Sequence, residues 1–100
     1  MPYPVSIVFT KLGRIKYISH LDLLRLFVRA LRRASLAFEV SAGFSKHPKI
    51  VIKRALKLGI ESENEEAVFT LKKPLPPEEF RKRMQEHLPQ GINIKTVSTL

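Results

Sequence analysis

No cysteine occurs among the 100 residues. That absence excludes disulfides, cysteine zinc sites and cysteine-held iron–sulfur clusters, and it suits a reducing, cytoplasmic setting. No apolar run approaches the roughly 18 residues of a membrane span. Met1-Pro2-Tyr3-Pro4 carries no basic stretch leading into an apolar one, so no signal peptide is visible and no membrane partner is expected. A Walker loop, a Gly-rich dinucleotide turn, a nucleophile elbow and a His-Glu-x-x-His helix are all missing. The three histidines, His20, His47 and His87, show no ligand spacing with carboxylates, so neither a metal nor a cofactor is expected. Acids are scarce where bases are plentiful. Residues 1–60 hold twelve Lys/Arg against only Asp22 and Glu39, whereas residues 61–100 hold six against seven Glu. A basic half beside a near-neutral one, within a net charge of +9, points to a polyanionic partner, of which nucleic acid is the commonest.

What remains is a chain sized for one small domain, residues 1–100, that buries roughly 65% of its unfolded surface. Val5, Ile7 and Phe9 alternate with Ser6, Val8 and Thr10, predicting a first strand. Ser19 and Asp22 have the spacing of a capping box and predict a helix over 20–34. Its apolar stripe is Leu24, Phe27, Val28 and Leu31, widened by Leu23, Leu26 and Ala30. Extended pieces follow at 36–41 and 49–56, a loop lies between them, and "IESENEE" reads as an acidic connection into a strand at 67–73. Pro76 and Pro77, followed by Glu78 and Glu79, open a second helix that ends before Pro89 and Gly91; "INIKTV" closes the chain as a strand. Strand–helix–strand–strand–helix–strand is the order of an α+β, ferredoxin-like split βαβ domain, an antiparallel sheet with two helices on one face.

Within the first helix, Arg25, Arg29, Arg32 and Arg33 lie at i, i+4, i+7 and i+8 and share a face with Asp22. Like charges at this spacing destabilise an isolated helix slightly, and a face selected for stability mixes signs. The planar guanidinium fork suits phosphate. The competing explanation is that these arginines pair internally, with Asp22, Glu39 or the acids of 61–66. In the loop "GFSKHPK", Lys46, His47 and Lys49 stand beside Phe44; charges that hold phosphates and a ring that stacks on a base suit single-stranded nucleic acid.

Several separated motifs agree in order with one family. "YISHLDLLRLFVRALRRASL", "VSAGFSKHPKI" and "ALKLGIESENEE" resemble the radical SAM-linked domain, a domain of uncharacterised function fused to, or encoded beside, radical S-adenosylmethionine proteins. The shared pattern falls on Ser19-His20-Leu21-Asp22, on Arg29 to Arg33, on Ser41-Ala42-Gly43-Phe44 with His47-Pro48, and on Leu56-Lys57-Leu58-Gly59 through Glu65. Where the family loop reads Asn-Pro, this chain has Ser45-Lys46, which adds a positive charge. Family members usually run longer than 100 residues, so the resemblance also admits a shortened member. It implies a helper of a radical SAM protein and supplies no activity; without cysteine the chain cannot itself hold the radical cluster.

The expectation is therefore a non-catalytic, cytoplasmic module that contacts RNA through Arg25, Arg29, Arg32, Arg33, Phe44, Lys46, His47 and Lys49, as accessory to a radical SAM protein. Two alternatives are a protein-docking domain for that partner, meeting the same arginines with an acidic surface, and a small metal-independent endoribonuclease using His20 and His47 as acid and base beside Tyr17.

Overall fold

A computed structural model of the chain describes residues 2–40, 48–54 and 57–99. Strand β1 (Tyr3–Lys11) leads through a 3-10 turn at Gly13–Tyr17 into helix α1 (His20–Arg33). Strand β2 (Ile50–Ile52), strand β3 (Ser62–Leu71), helix α2 (Pro77–Gln85) and strand β4 (Ile94–Thr99) follow. The strands form one antiparallel sheet in the order β2-β3-β1-β4. The fold is α+β, with four antiparallel strands and two helices.

Alternation in β1 and β3 determines which side of the sheet is covered. Val5, Ile7 and Phe9 lie across from Phe69, Ala67 and Glu65, and all six side chains are buried. Phe27 of α1 meets Phe9 and Phe69 edge-on, with ring centroids 5.2 and 5.3 Å apart; Phe80 of α2 meets Phe69 at 5.6 Å. Both helices therefore pack on the side to which Phe69 points, and edge-to-face rings favour this arrangement beyond simple burial. Ser6, Val8, Val68 and Val51 alternate to the other side, where they are partly or fully exposed.

Helix α1 starts as its sequence predicts. The Asp22 N–H donates to Ser19 Oγ at 3.1 Å, and the Asp22 carboxylate sits in the first turn. It ends in a Schellman motif: the Ser35 N–H donates to Arg32 O and the Leu36 N–H to Leu31 O, with Ser35 at φ 55°. Helix α2 begins at Pro77, where a missing N–H costs nothing, and buries Phe80 and Met84.

Two expectations need correction. The stretch "IESENEE" is not a connection from Ser62 onward: Ser62–Glu66 is the first half of β3, paired with β1 from Lys11 to Val8. Its polarity misleads because Glu63, Asn64 and Glu66 are exposed, while Glu65 is 2% exposed and neutralised by Arg54. The core stripe of α1 is Leu23, Phe27, Ala30 and Leu31; Leu24 and Val28 are half-buried and are not among the side chains packed on the core.

The end of β1 is tied to the approach to β4. The Leu12 N–H and the Thr10 hydroxyl both donate to Gly91 O, at 3.0 and 2.9 Å, and the Asn93 N–H donates to Thr10 Oγ1. Gly91 has φ +100°, and a Cβ there would lie 2.2 Å from the Leu12 carbonyl oxygen, so only glycine fits.

Candidate functional site

Helix α1 lays its core row on the sheet and turns its next two rows outward. One outward row is apolar, Leu21, Leu24 and Val28, at i, i+3 and i+7; the other is Arg25, Arg29 and Arg32, flanked by Arg33. With Pro48 and Ile50 these two rows line an open groove of about 800 Å³ between the helix and the β2 edge of the sheet. Its floor is aliphatic and its rim carries four guanidinium groups. Leu21 is 55% exposed, a large apolar side chain left in water.

The charge of the rim is almost unneutralised from within. All nine acids of the chain lie among the described residues. Asp22 takes Arg25 at 3.3 Å, Glu65 takes Arg54, Glu78 takes Arg81 and Glu79 takes Arg83. Glu61 accepts from the Gly13 N–H at 2.6 Å. Among the described residues Arg29, Arg32 and Arg33 are in no ion pair, and all three are exposed. The Asp22–Arg25 pair is exposed on both sides, so water screens it and it holds Arg25 only weakly. Arg32 and Arg33 also complement the negative end of the helix, a structural contribution that leaves the guanidinium heads in solvent.

The structure thus brings together four of the eight residues expected to contact nucleic acid. Lys49 is exposed but does not line the groove; strand alternation sends it, like Val51, to the other side of the sheet from Pro48 and Ile50. Phe44, Lys46 and His47 lie outside the described residues. So does any pairing of His20 with His47. His20 is the first residue of α1, and its buried Nδ1 has no hydrogen-bond partner among the described residues. No group of three or more His, Asp or Glu among the described residues converges on a metal position.

Sequence reasoning missed the floor. Leu21, Leu24 and Val28 form their own helical row beside the arginines, and a stripe that wide exceeds what one sheet face covers. It also missed a buried charge at the far end of β1. Lys11 is fully buried, and its Nζ donates to Lys57 O at 2.9 Å. Loss of solvent pushes its ammonium below the ordinary lysine value, and the charge of Glu65 pulls it partway back. Arg54 caps Glu65 through Nε at 3.1 and 3.2 Å, and the paired carboxylate raises the guanidinium further. With the Gly59 N–H donating to Lys16 O and Glu61 accepting from Gly13, residues 57–61 are pinned against both ends of the 3-10 turn. The parts of this cluster hold one another, which makes it scaffold.

No helix among the described residues is long and apolar enough to cross a membrane. The chain belongs to the family described as "Uncharacterized protein conserved in bacteria (DUF2344)", whose model matches residues 5–100. No curated protein and no solved structure matches the chain.

Proposed function

We propose that this protein is a non-catalytic RNA-binding module and that the α1–β2 groove is its binding face. One observation carries the reading: Arg29, Arg32 and Arg33 stand on one rim of a single groove, in no ion pair with any carboxylate among the described residues. Holding three unpaired cations a few ångströms apart costs free energy, and a polyanion whose counterions are released on contact offsets it. A phosphate backbone supplies evenly spaced charges, and arginine meets them bidentately.

Finer features of the proposal rest on different supports. Read from its other edge the strand order is β4-β1-β3-β2, with β1 and β3 antiparallel at the centre; that order supports a ferredoxin-like, split βαβ assignment. The motif resemblance supports placing the module beside a radical SAM protein, as an accessory in the cytoplasm, and the absence of cysteine agrees with a helper that holds no cluster.

Fluorescence anisotropy of a labelled single-stranded RNA, titrated with the full chain across about 50 to 200 mM salt, tests the reading. Binding is expected to weaken steeply with salt, and the combined variant Arg29→Gln, Arg32→Gln, Arg33→Gln is expected to reduce the log–log salt slope by about 2. Arg81→Gln on α2, whose arginine is already paired, is expected to leave the slope as it was. No binding at the lowest salt, or an unchanged slope in the triple variant, would overturn the proposal. Recovery of a radical SAM protein with the module after nuclease treatment would instead favour direct docking of an acidic protein surface on the same arginines.

A further inference from the structure

We infer that the groove takes an unpaired segment of RNA a few nucleotides long, with bases seated on the aliphatic floor and phosphates on the arginine rim. This rests on the RNA reading above and deepens it to one class of substrate.

The floor is what decides the class. Charge alone would serve a duplex as well as a single strand, since both present phosphates to a row of arginines. In a duplex, however, the base faces are stacked inside, and a protein surface meets phosphates, 2′-hydroxyls and base edges, all of them polar. A duplex laid on the rim would leave Leu21, Leu24, Val28 and Ile50 facing water. A single strand can turn a base into the groove, where its apolar face leaves water against those side chains and its plane stacks on a guanidinium. Leu24 and Val28 are half-buried without packing on the core, so the hydrophobic core does not account for their presence there.

Two exposed rings among the described residues, Tyr3 and Tyr17, lie outside the groove, Tyr17 with Lys16 Nζ 5.2 Å over its face; the sheet offers no further platform for bases. The uncovered side of the sheet presents Pro4, Ser6 and Val8 on β1 and Glu66, Val68 and Thr70 on β3, with no aromatic ring for stacking. Phe9 and Phe69 of those two central strands point into the core. From Arg25 to Arg33 the rim runs about 12 Å along the helix axis, which limits the contact to a short segment.

The experiment compares three labelled ligands of equal length on the full chain at one salt concentration: a single-stranded oligouridine, a perfect RNA duplex, and an oligouridine whose central nucleotides are abasic. The single strand is expected to bind about tenfold tighter than either of the others, the return for removing a base face from water. Leu24→Asn is expected to bring the single strand down to the affinity of the duplex. Leu21→Asn, at a position too exposed to endanger folding, is expected to move it in the same direction, with thermal melts confirming that both variants fold. Equal affinity for all three ligands, or a preference that survives both variants, would overturn this inference while leaving the RNA reading intact. Failure of every ligand to bind at low salt would overturn both.

Discussion

The two helices cover the same side of the same sheet, and both carry arginines, yet they treat charge in opposite ways. In α2, Glu78 holds Arg81 and Glu79 holds Arg83, each within one helical turn, and Arg83 also donates to Ala34 O beyond the end of α1. Every arginine there has a partner inside the chain. In α1, Asp22 serves Arg25 alone, and three more arginines are in no ion pair among the described residues. The helix at the β4 side is finished as a surface; the helix at the β2 side is finished only as a core. A helix whose arginines are paired by two glutamates, as those of α2 are, shows that the fold does not require the imbalance seen in α1. The same holds for apolar residues: α2 buries Phe80 and Met84 and presents little else, whereas α1 carries a second aliphatic row that the core does not use.

The largest effects expected from breaking this comparison concern the core, where both helices are complete. Phe27→Ala and Phe80→Ala each remove a fully buried ring and should cost about 3–5 kcal/mol. They should not cost the same. Phe27 makes two edge-on contacts, to Phe9 and Phe69, and Phe80 makes one tilted contact, to Phe69. An aromatic pair is worth about 0.5–1.5 kcal/mol beyond its area, so Phe27→Ala should be the worse by roughly that amount in urea unfolding. Equal losses would mean that α1 is anchored by its aliphatic residues and that its outward rows are less free of the core than the packing indicates.

The core was the part of this molecule most readable from sequence, for a physical reason. Ser19 and Asp22 specify where α1 starts through contacts within one turn, and Pro77 does the same for α2; both depend on neighbours in sequence. Val5, Ile7 and Phe9 show their buried face by alternation. Ser62–Glu66 was misread because the pairing that makes it a strand is with β1, more than fifty residues away, and the charge that permits burial of Glu65 comes from Arg54. For the site, spacing placed Arg25, Arg29, Arg32 and Arg33 on one face, and they do line one groove. The aliphatic floor was hidden because a leucine packed on a sheet and a leucine left beside it look identical in a helical stripe; only the width of the sheet separates Leu23 from Leu24. Lys49 is grouped by sequence with Lys46, His47 and Phe44 of the loop, and strand alternation turns it away from the groove that the arginines line.

A smaller effect sharpens the comparison at the ends of the helices. The left-handed residue that closes α1 is Ser35, the one non-glycine with positive φ among the described residues, whereas the left-handed position after α2 is Gly91. A side chain in that conformation costs about 1–2 kcal/mol. Glycine relieves this but adds about 0.4–1 kcal/mol of unfolded-state entropy. Ser35→Gly should therefore stabilise the protein by roughly 0.5–1 kcal/mol, read as a rise in the midpoint of thermal unfolding, while Gly91→Ala should destabilise it because its Cβ would strike the Leu12 carbonyl. A loss of stability in Ser35→Gly would mean that the serine side chain makes a contact that offsets its backbone strain.

The smallest effect concerns the ion pairs of α2 themselves. The hydrogen bond from Arg81 holds the Glu78 carboxyl below the ordinary glutamate value, aided by the charges of Arg81 and Lys82 and opposed by desolvation. A carboxyl whose pKa is lowered by folding stabilises the native state at every pH above its unfolded value, about 4.3, and that contribution disappears as pH falls through the lowered folded value. Unfolding midpoints measured for the native chain and for Glu78→Gln should therefore converge as the pH drops below about 4.3, with the native chain losing stability the more steeply. Salt should shrink the gap, because the pair is exposed. Parallel acid limbs would show that the pair does not persist in water. In that case α2 would leave Arg81 as free as the arginines of α1, and only Arg83, held by Glu79 and Ala34 O, would still distinguish the binding helix from its neighbour.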